Sequence, residues 1–133
     1  MRHERHAMIR RVVTNVAKPE GTHAPMGQLV RMRAYPDASY RDVTARNVDT
    51  LYSAAFFDVG DDSWVLSVPD MKGRYCLVPF LDGWTNVFAV PGSRTTGTQP
   101  QTFVIAGPWW SGAFPAGMTE LKSQCTGFSD REP

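Results

Sequence analysis

Residues 92–107 read GSRTTGTQPQTFVIAG, and its two halves invite different folds. Gly92 and Gly97 have the gap of a phosphate-binding loop, G-x-x-x-x-G-K-[ST], with hydroxyls and the Arg94 guanidinium between them. Such a loop works because it opens a helix, whose free N-terminal amides and dipole hold the phosphate. Here Thr98 stands where the lysine belongs, and TFVIAG (102–107) is the uninterrupted apolar run of a buried strand. The nucleotide reading fails for want of both lysine and helix. What remains is a strand-to-strand loop, with positive φ at Gly92 and Gly97 and threonine hydroxyls satisfying loop backbone. Arg94 alone keeps a claim to line an anion or ligand pocket.

The neighbouring runs agree with strands. QLVRMRAY (28–35) partly alternates apolar and basic residues, and DTLYSAAFFDV (49–59) is rich in aromatics and ends at GDD. SWVLSV (63–68) follows after a short turn, so these last two predict a hairpin. PDMKG (69–73) reads as a turn, and RYCLVPF (74–80), WTNVFAV (84–90) and MTELKS (118–123) as further strands. Only residues 5–16 carry helical spacing, with Met8, Ile9, Val12, Val13 and Val16 on one face and arginines on the other. AKPEGTHAPMG (17–27) then breaks regular structure. The fold expected is mainly β, an antiparallel β-sandwich or jelly-roll-like domain with one short N-terminal helix.

The totals restrict function more than they suggest one. At 42% hydrophobic and 20% charged residues the chain is too apolar for disorder, and its 133 residues suit one domain. Fourteen basic residues against 13 acidic ones leave a net charge of +1, no field for drawing in nucleic acid. Early arginines (Arg2, Arg5, Arg10, Arg11, Arg31, Arg33) read as a solvated face. Two cysteines, Cys76 and Cys125, lie far apart, read as free thiols, and make neither a disulfide scaffold nor a zinc site. His3 and His6 share a helical spacing but have no third ligand in view, so no metal or other cofactor is expected. No apolar run reaches the roughly 18 residues of a membrane helix, and no secretory signal opens the chain, which places it in the cytoplasm as written.

Two polar clusters carry what chemistry the sequence offers. In RNVDTLYS, Asn47, Asp49 and Thr50 precede an apolar strand; they close a turn, or Asp49 serves as general base with Tyr52 donating across the site. In RYCLVPFLDGWTNVF, Arg74, Asp82, Trp84 and Asn86 fall within one hairpin. Arg74 pairs structurally with Asp82 or Asp49, or these groups converge on a small-molecule ligand. Asp49 and Asp82 are the catalytic candidates, able to perform acid–base hydrolysis if they face each other. Asn47, Tyr52, Arg74, Trp84, Asn86 and Arg94 are the binding candidates. Every histidine lies in the first 23 residues and there is no G-x-S-x-G elbow, so a nucleophilic triad is absent.

Three stretches, PMGQLVRMRAYPDASYRDVTARNVDTLYS, VLSVPDMKGRYCLVPFLDGWTNVFAVPGSRTTGT and GPWWSGAFPAG, together resemble the domain of unknown function 1254 family. The likeness runs from about Arg5 to Ser123. It implies β-rich, sandwich or jelly-roll-like modules in bacterial proteins, full-length relatives that are often exported, and a second domain, of unknown function 1214, downstream. It assigns no activity, cofactor or catalytic role to the matching residues, among them Asp49, Arg74, Asp82 and Arg94. Two departures stand out. The helical segment with a Y-x-x-G-Y-P-like stretch is missing ahead of Arg5, and QCTGFSDREP (124–133) replaces the family's continuation with polar sequence. The expected organisation is a partial domain over 1–123 and a non-matching tail over 124–133, read as frameshifted or truncated. The expected function is a binding or structural module of a larger protein. The alternatives are a hydrolase-like enzyme using Asp49, Arg74, Asp82 and Arg94, or a fragment without function of its own.

An incomplete sheet exposes strand edges and an aromatic face at Trp109, Trp110 and Phe114. The isolated chain is therefore expected to self-associate, through those edges or where a second domain would sit. Light scattering at micromolar concentration checks this, and a monodisperse monomer with a cooperative thermal transition would contradict it.

Overall fold

In the computed structural model, residues 14–21, 23–41 and 47–125 are described. They carry seven short strands in order: β1 Val30–Arg31, β2 Ser53–Ala54, β3 Trp64–Val68, β4 Phe80–Leu81, β5 Val87–Ala89, β6 Gln101–Ala106 and β7 Thr119–Lys122. The architecture is mainly β, and the chain divides into two compact units at Phe56 and Phe57. Of the predicted helix, residues 5–13 lie outside the described residues; 14–16 are not helical. Among the described residues no helix is long and apolar enough to cross a membrane.

In the first unit β1 and β2 pair antiparallel, Val30 opposite Ala54 and Arg31 opposite Ser53. Hydrogen bonds from Met32 N to Tyr52 O (2.9 Å) and Gly27 N to Phe56 O (2.7 Å) continue the contact beyond the ladder. Val30 turns inward and is buried while Arg31 and Arg33 stay exposed, the alternation a half-covered strand requires.

The second unit is organised by β6. It lies between β3 and β7, antiparallel to β3 (Trp64 opposite Ile105, Val68 opposite Gln101) and parallel to β7 (Phe103 opposite Thr119, Ala106 opposite Lys122). Phe103, Val104, Ile105 and Ala106 are all buried, so both faces of the strand are covered, as its unbroken apolar run foretells. β3 alternates, with Trp64, Leu66 and Val68 half-buried and Val65 and Ser67 exposed. β4 and β5 form a bulged hairpin that joins the same core: Val59, Phe80 and Ile105 are its buried centre, with Phe57, Trp64, Leu66, Val78, Phe88, Ala89 and Leu121 packed around them.

Three expectations need correction. First, 49–59 and 63–68 do not form a hairpin: β2 pairs with β1, and β3 with β6. The Gly60 N–H bonds the Asp58 carboxylate (2.9 Å) and the Trp64 indole N–H bonds the Asp58 carbonyl (2.7 Å), closing a turn whose flanks, Phe57 and Val59, enter the core as loop. Second, the pairing is not wholly antiparallel, because the 107–118 connection returns β7 alongside β6 in the same direction. Third, 74–80 alternates in burial like a strand but its ladder is broken: the Leu77–Gly92 bridge, the Val78 N to Pro91 O bond (2.8 Å) and bonds between Cys76 and Ser93 tie it to residues 91–93, and Pro79 and Pro91 have no N–H to give.

Truncating the centre of β6 should be costly and truncating the rim should not. Phe103→Ala is expected to lose about 3–5 kcal/mol, against under about 0.5 kcal/mol for Val65→Thr at an exposed position. Urea denaturation of both variants measures the difference.

Candidate functional site

The loop over 92–98 closes on a single acceptor. The Gly92 carbonyl takes the N–H groups of Thr95 (3.1 Å), Thr96 (2.9 Å) and Gly97 (3.1 Å). Thr96 Oγ1 accepts the Gly92 N–H (3.1 Å), and the Thr95 hydroxyl donates to the Val90 carbonyl (2.6 Å). An anion-binding loop turns successive amides outward; this one turns them onto its own oxygen. Gly97 takes φ +89°, as the strand-connection reading requires, and the threonines satisfy backbone. The serine has the part that the sequence did not reveal. The Ser93 N–H donates to the Cys76 carbonyl (3.0 Å), and the Cys76 N–H donates to Ser93 Oγ (2.9 Å), clamping the loop to a segment far back in the chain. Nothing local signals that bond.

Arg94 is exposed, its guanidinium 5.8 Å from the centre of the Tyr75 ring in a cation–π contact. Arg74 folds back on its own turn, Nε donating to the Met71 carbonyl (3.1 Å). That turn has Lys72 and Gly73 both at positive φ (51° and 75°), closed by Arg74 N to Met71 O (3.0 Å), with the Lys72 N–H on the Asp70 carboxylate (2.7 Å).

Asp82 closes the β4–β5 hairpin. Its Oδ1 accepts the N–H groups of Trp84 (2.9 Å) and Asn86 (2.8 Å), its Oδ2 accepts the Asn86 side-chain amide (3.0 Å), and Thr85 sits at φ +68° between them. Asp82, Trp84 and Asn86, expected with Arg74 within one hairpin, meet in this turn. Cys125 joins the same turn, its thiol sulfur accepting the Gly83 N–H (3.2 Å).

Asn47 does for the first unit what Asp82 does for the second. Its Oδ1 accepts the N–H groups of Asp49 (2.8 Å) and Thr50 (3.1 Å), and its amide donates to the Thr50 (2.8 Å) and Tyr52 hydroxyls. The Asp49 carboxylate is exposed beside this turn. Asp49 belongs to the first unit and Asp82 to the second. Among the described residues no group of three or more His, Cys, Asp or Glu side chains could hold a metal; His3 and His6 lie outside them.

The aromatic segment after β6 is partly ordered against itself. Trp110 stacks on Phe114 (centroids 5.7 Å apart, 12° between planes), while Trp109 is 69% exposed.

A Cβ at Gly92 would meet the Cys76 carbonyl oxygen at 2.5 Å and Leu77 Cα at 3.1 Å, both backbone atoms that cannot step aside. Gly92→Ala should therefore destabilise the chain by about 1–3 kcal/mol. Thr98→Ala, outside this acceptor cluster, should change the midpoint of urea unfolding little.

No functionally curated protein matches the chain. Among solved structures it is similar to the VPA0106 protein of Vibrio parahaemolyticus, with a TM-score of 0.63 and 24% identity over 90% of this chain. That likeness is one of fold, and the chain spans 25% of that protein's length. The family model described as Protein of unknown function (DUF1254) matches residues 26–127, from the loop before β1 to just beyond the Cys125 contact. By that match over most of its length, the chain belongs to the DUF1254 family.

Proposed function

We propose that this chain is a non-catalytic module, structural or binding, of a larger protein, and that its second unit is a sandwich-like pair of sheets. The observation that carries the reading is the fate of the polar groups at three turns. Both Asp82 oxygens, the Asn47 amide and the Gly92 carbonyl are engaged by their own turns. A carboxylate accepting several local N–H bonds is built to hold a turn, whereas a catalytic one keeps an oxygen for substrate. The span of a quarter of VPA0106 supports the module. The way β4 and β5 share one core with β3, β6 and β7 supports the layering.

On this reading Asp82→Ala loses about 1–3 kcal/mol of stability, the scale of hydrogen bonds to a charged group. Asp49→Ala stays within about 0.5 kcal/mol, as exposed positions do. Chemical denaturation reads both. The corresponding Asp→Asn changes in a full-length relative provide the counter-test. An activity that collapses while the melting temperature holds would overturn the reading.

A further inference from the structure

We propose that the outer edge of β3 pairs with the same edge of a second copy of this chain, antiparallel about Leu66, so that two β3–β6–β7 sheets join into one. The two edges of this sheet differ. β7 carries Glu120 and Lys122, both exposed, and charged side chains are a common means of protecting an edge from pairing. β3, at the other edge, is the uncharged run WVLSV with no proline, and Val65 is 58% exposed. Among the described residues its backbone pairs with β6 alone, so no described strand takes the alternate N–H and C=O groups of its far side.

The sequence of β3 suits its own reverse. A two-fold axis at Leu66 sets Trp64 opposite Val68 and Val65 opposite Ser67 of the second copy. Half-buried residues then meet half-buried ones and exposed residues meet exposed ones, whereas a one-residue slip would cross the faces. Charge at the strand ends favours the same arrangement. Asp58, Asp61 and Asp62 precede β3, while Lys72 and Arg74 outweigh Asp70 after it. Antiparallel pairing brings each acidic entry toward the other copy's basic exit. Asp62 opposite Asp70 is the opposing pair, and a five-residue edge is small, so the association belongs to the weak, reversible class.

The test is sedimentation equilibrium of the full chain from about 10 μM to 1 mM, a range spanning weak binding. A concentration-dependent dimer is expected; a monomer throughout overturns the proposal. V65K/S67K and V65E/S67E each place like charges opposite each other twice, so each alone should be monomeric, and their equimolar mixture should dimerise. Circular dichroism confirms that the variants are folded. Dimers that persist in either variant, or folded variants that stay monomeric when mixed, overturn the register. The unmodified chain gives a readout independent of the variants: amide exchange across residues 64–68 should slow as concentration rises, and unchanged exchange overturns the edge assignment.

Discussion

A strand buried on both faces has nowhere to place its backbone polar groups except against neighbouring strands. β6 is in that position, and the second unit follows from it. Because Phe103, Val104, Ile105 and Ala106 are shut away from water, each edge of β6 must be paired, and β3 and β7 supply the partners. β3 comes from the antiparallel side and brings Trp64 and Leu66 to the Ile105 face; β7 arrives parallel and adds Leu121. The β4–β5 hairpin then covers that face with Phe80 and Phe88, whose rings sit tilted 6.1 Å apart. Chain order matters less here than the need of one strand for two neighbours.

The loops obey a matching rule. A short turn exposes more backbone donors than it can satisfy with its own carbonyls, and three turns here each supply one side chain or one carbonyl as a common acceptor. Asn47, Asp82 and Gly92 fill that position in three separate places. Residue types prized in active sites are thereby committed to geometry.

How far the sequence could be read depended on whether a feature was local. The strands over 101–106 and 64–68 announced themselves by apolar runs and turn signals, while the one over 119–122 has only Leu121 as an apolar residue to mark it. The loop at 92–98 could be excluded as a phosphate site from Thr98 and the strand that follows. The turns at Asp82, Trp84 and Asn86 and at Asn47, Asp49 and Thr50 were legible because each lies within a few residues, whereas the bond of Asn47 to the Tyr52 hydroxyl was not foreseen. Pairing was not legible. Adjacency suggested that 49–59 would fold onto 63–68, but β3 is claimed by a strand far downstream whose burial demands it. The Ser93 clamp on Cys76 and the Cys125 contact with Gly83 stayed hidden for the same reason, since a long-range hydrogen bond leaves no periodic mark.

That remoteness has a consequence for the order of assembly. The β4–β5 hairpin joins near neighbours, so it can close as soon as its own turn is made. The β3–β6 ladder must first gather everything between Val68 and Gln101, and the parallel β7 must wait for the 107–118 crossover. Contacts so distant along the chain are reached slowly, because closing a long loop precedes any gain from pairing. During synthesis β3 leaves the ribosome well before β6 exists. For that interval WVLSV is an apolar strand with both edges bare, and its safety rests on timing and on the aspartates beside it.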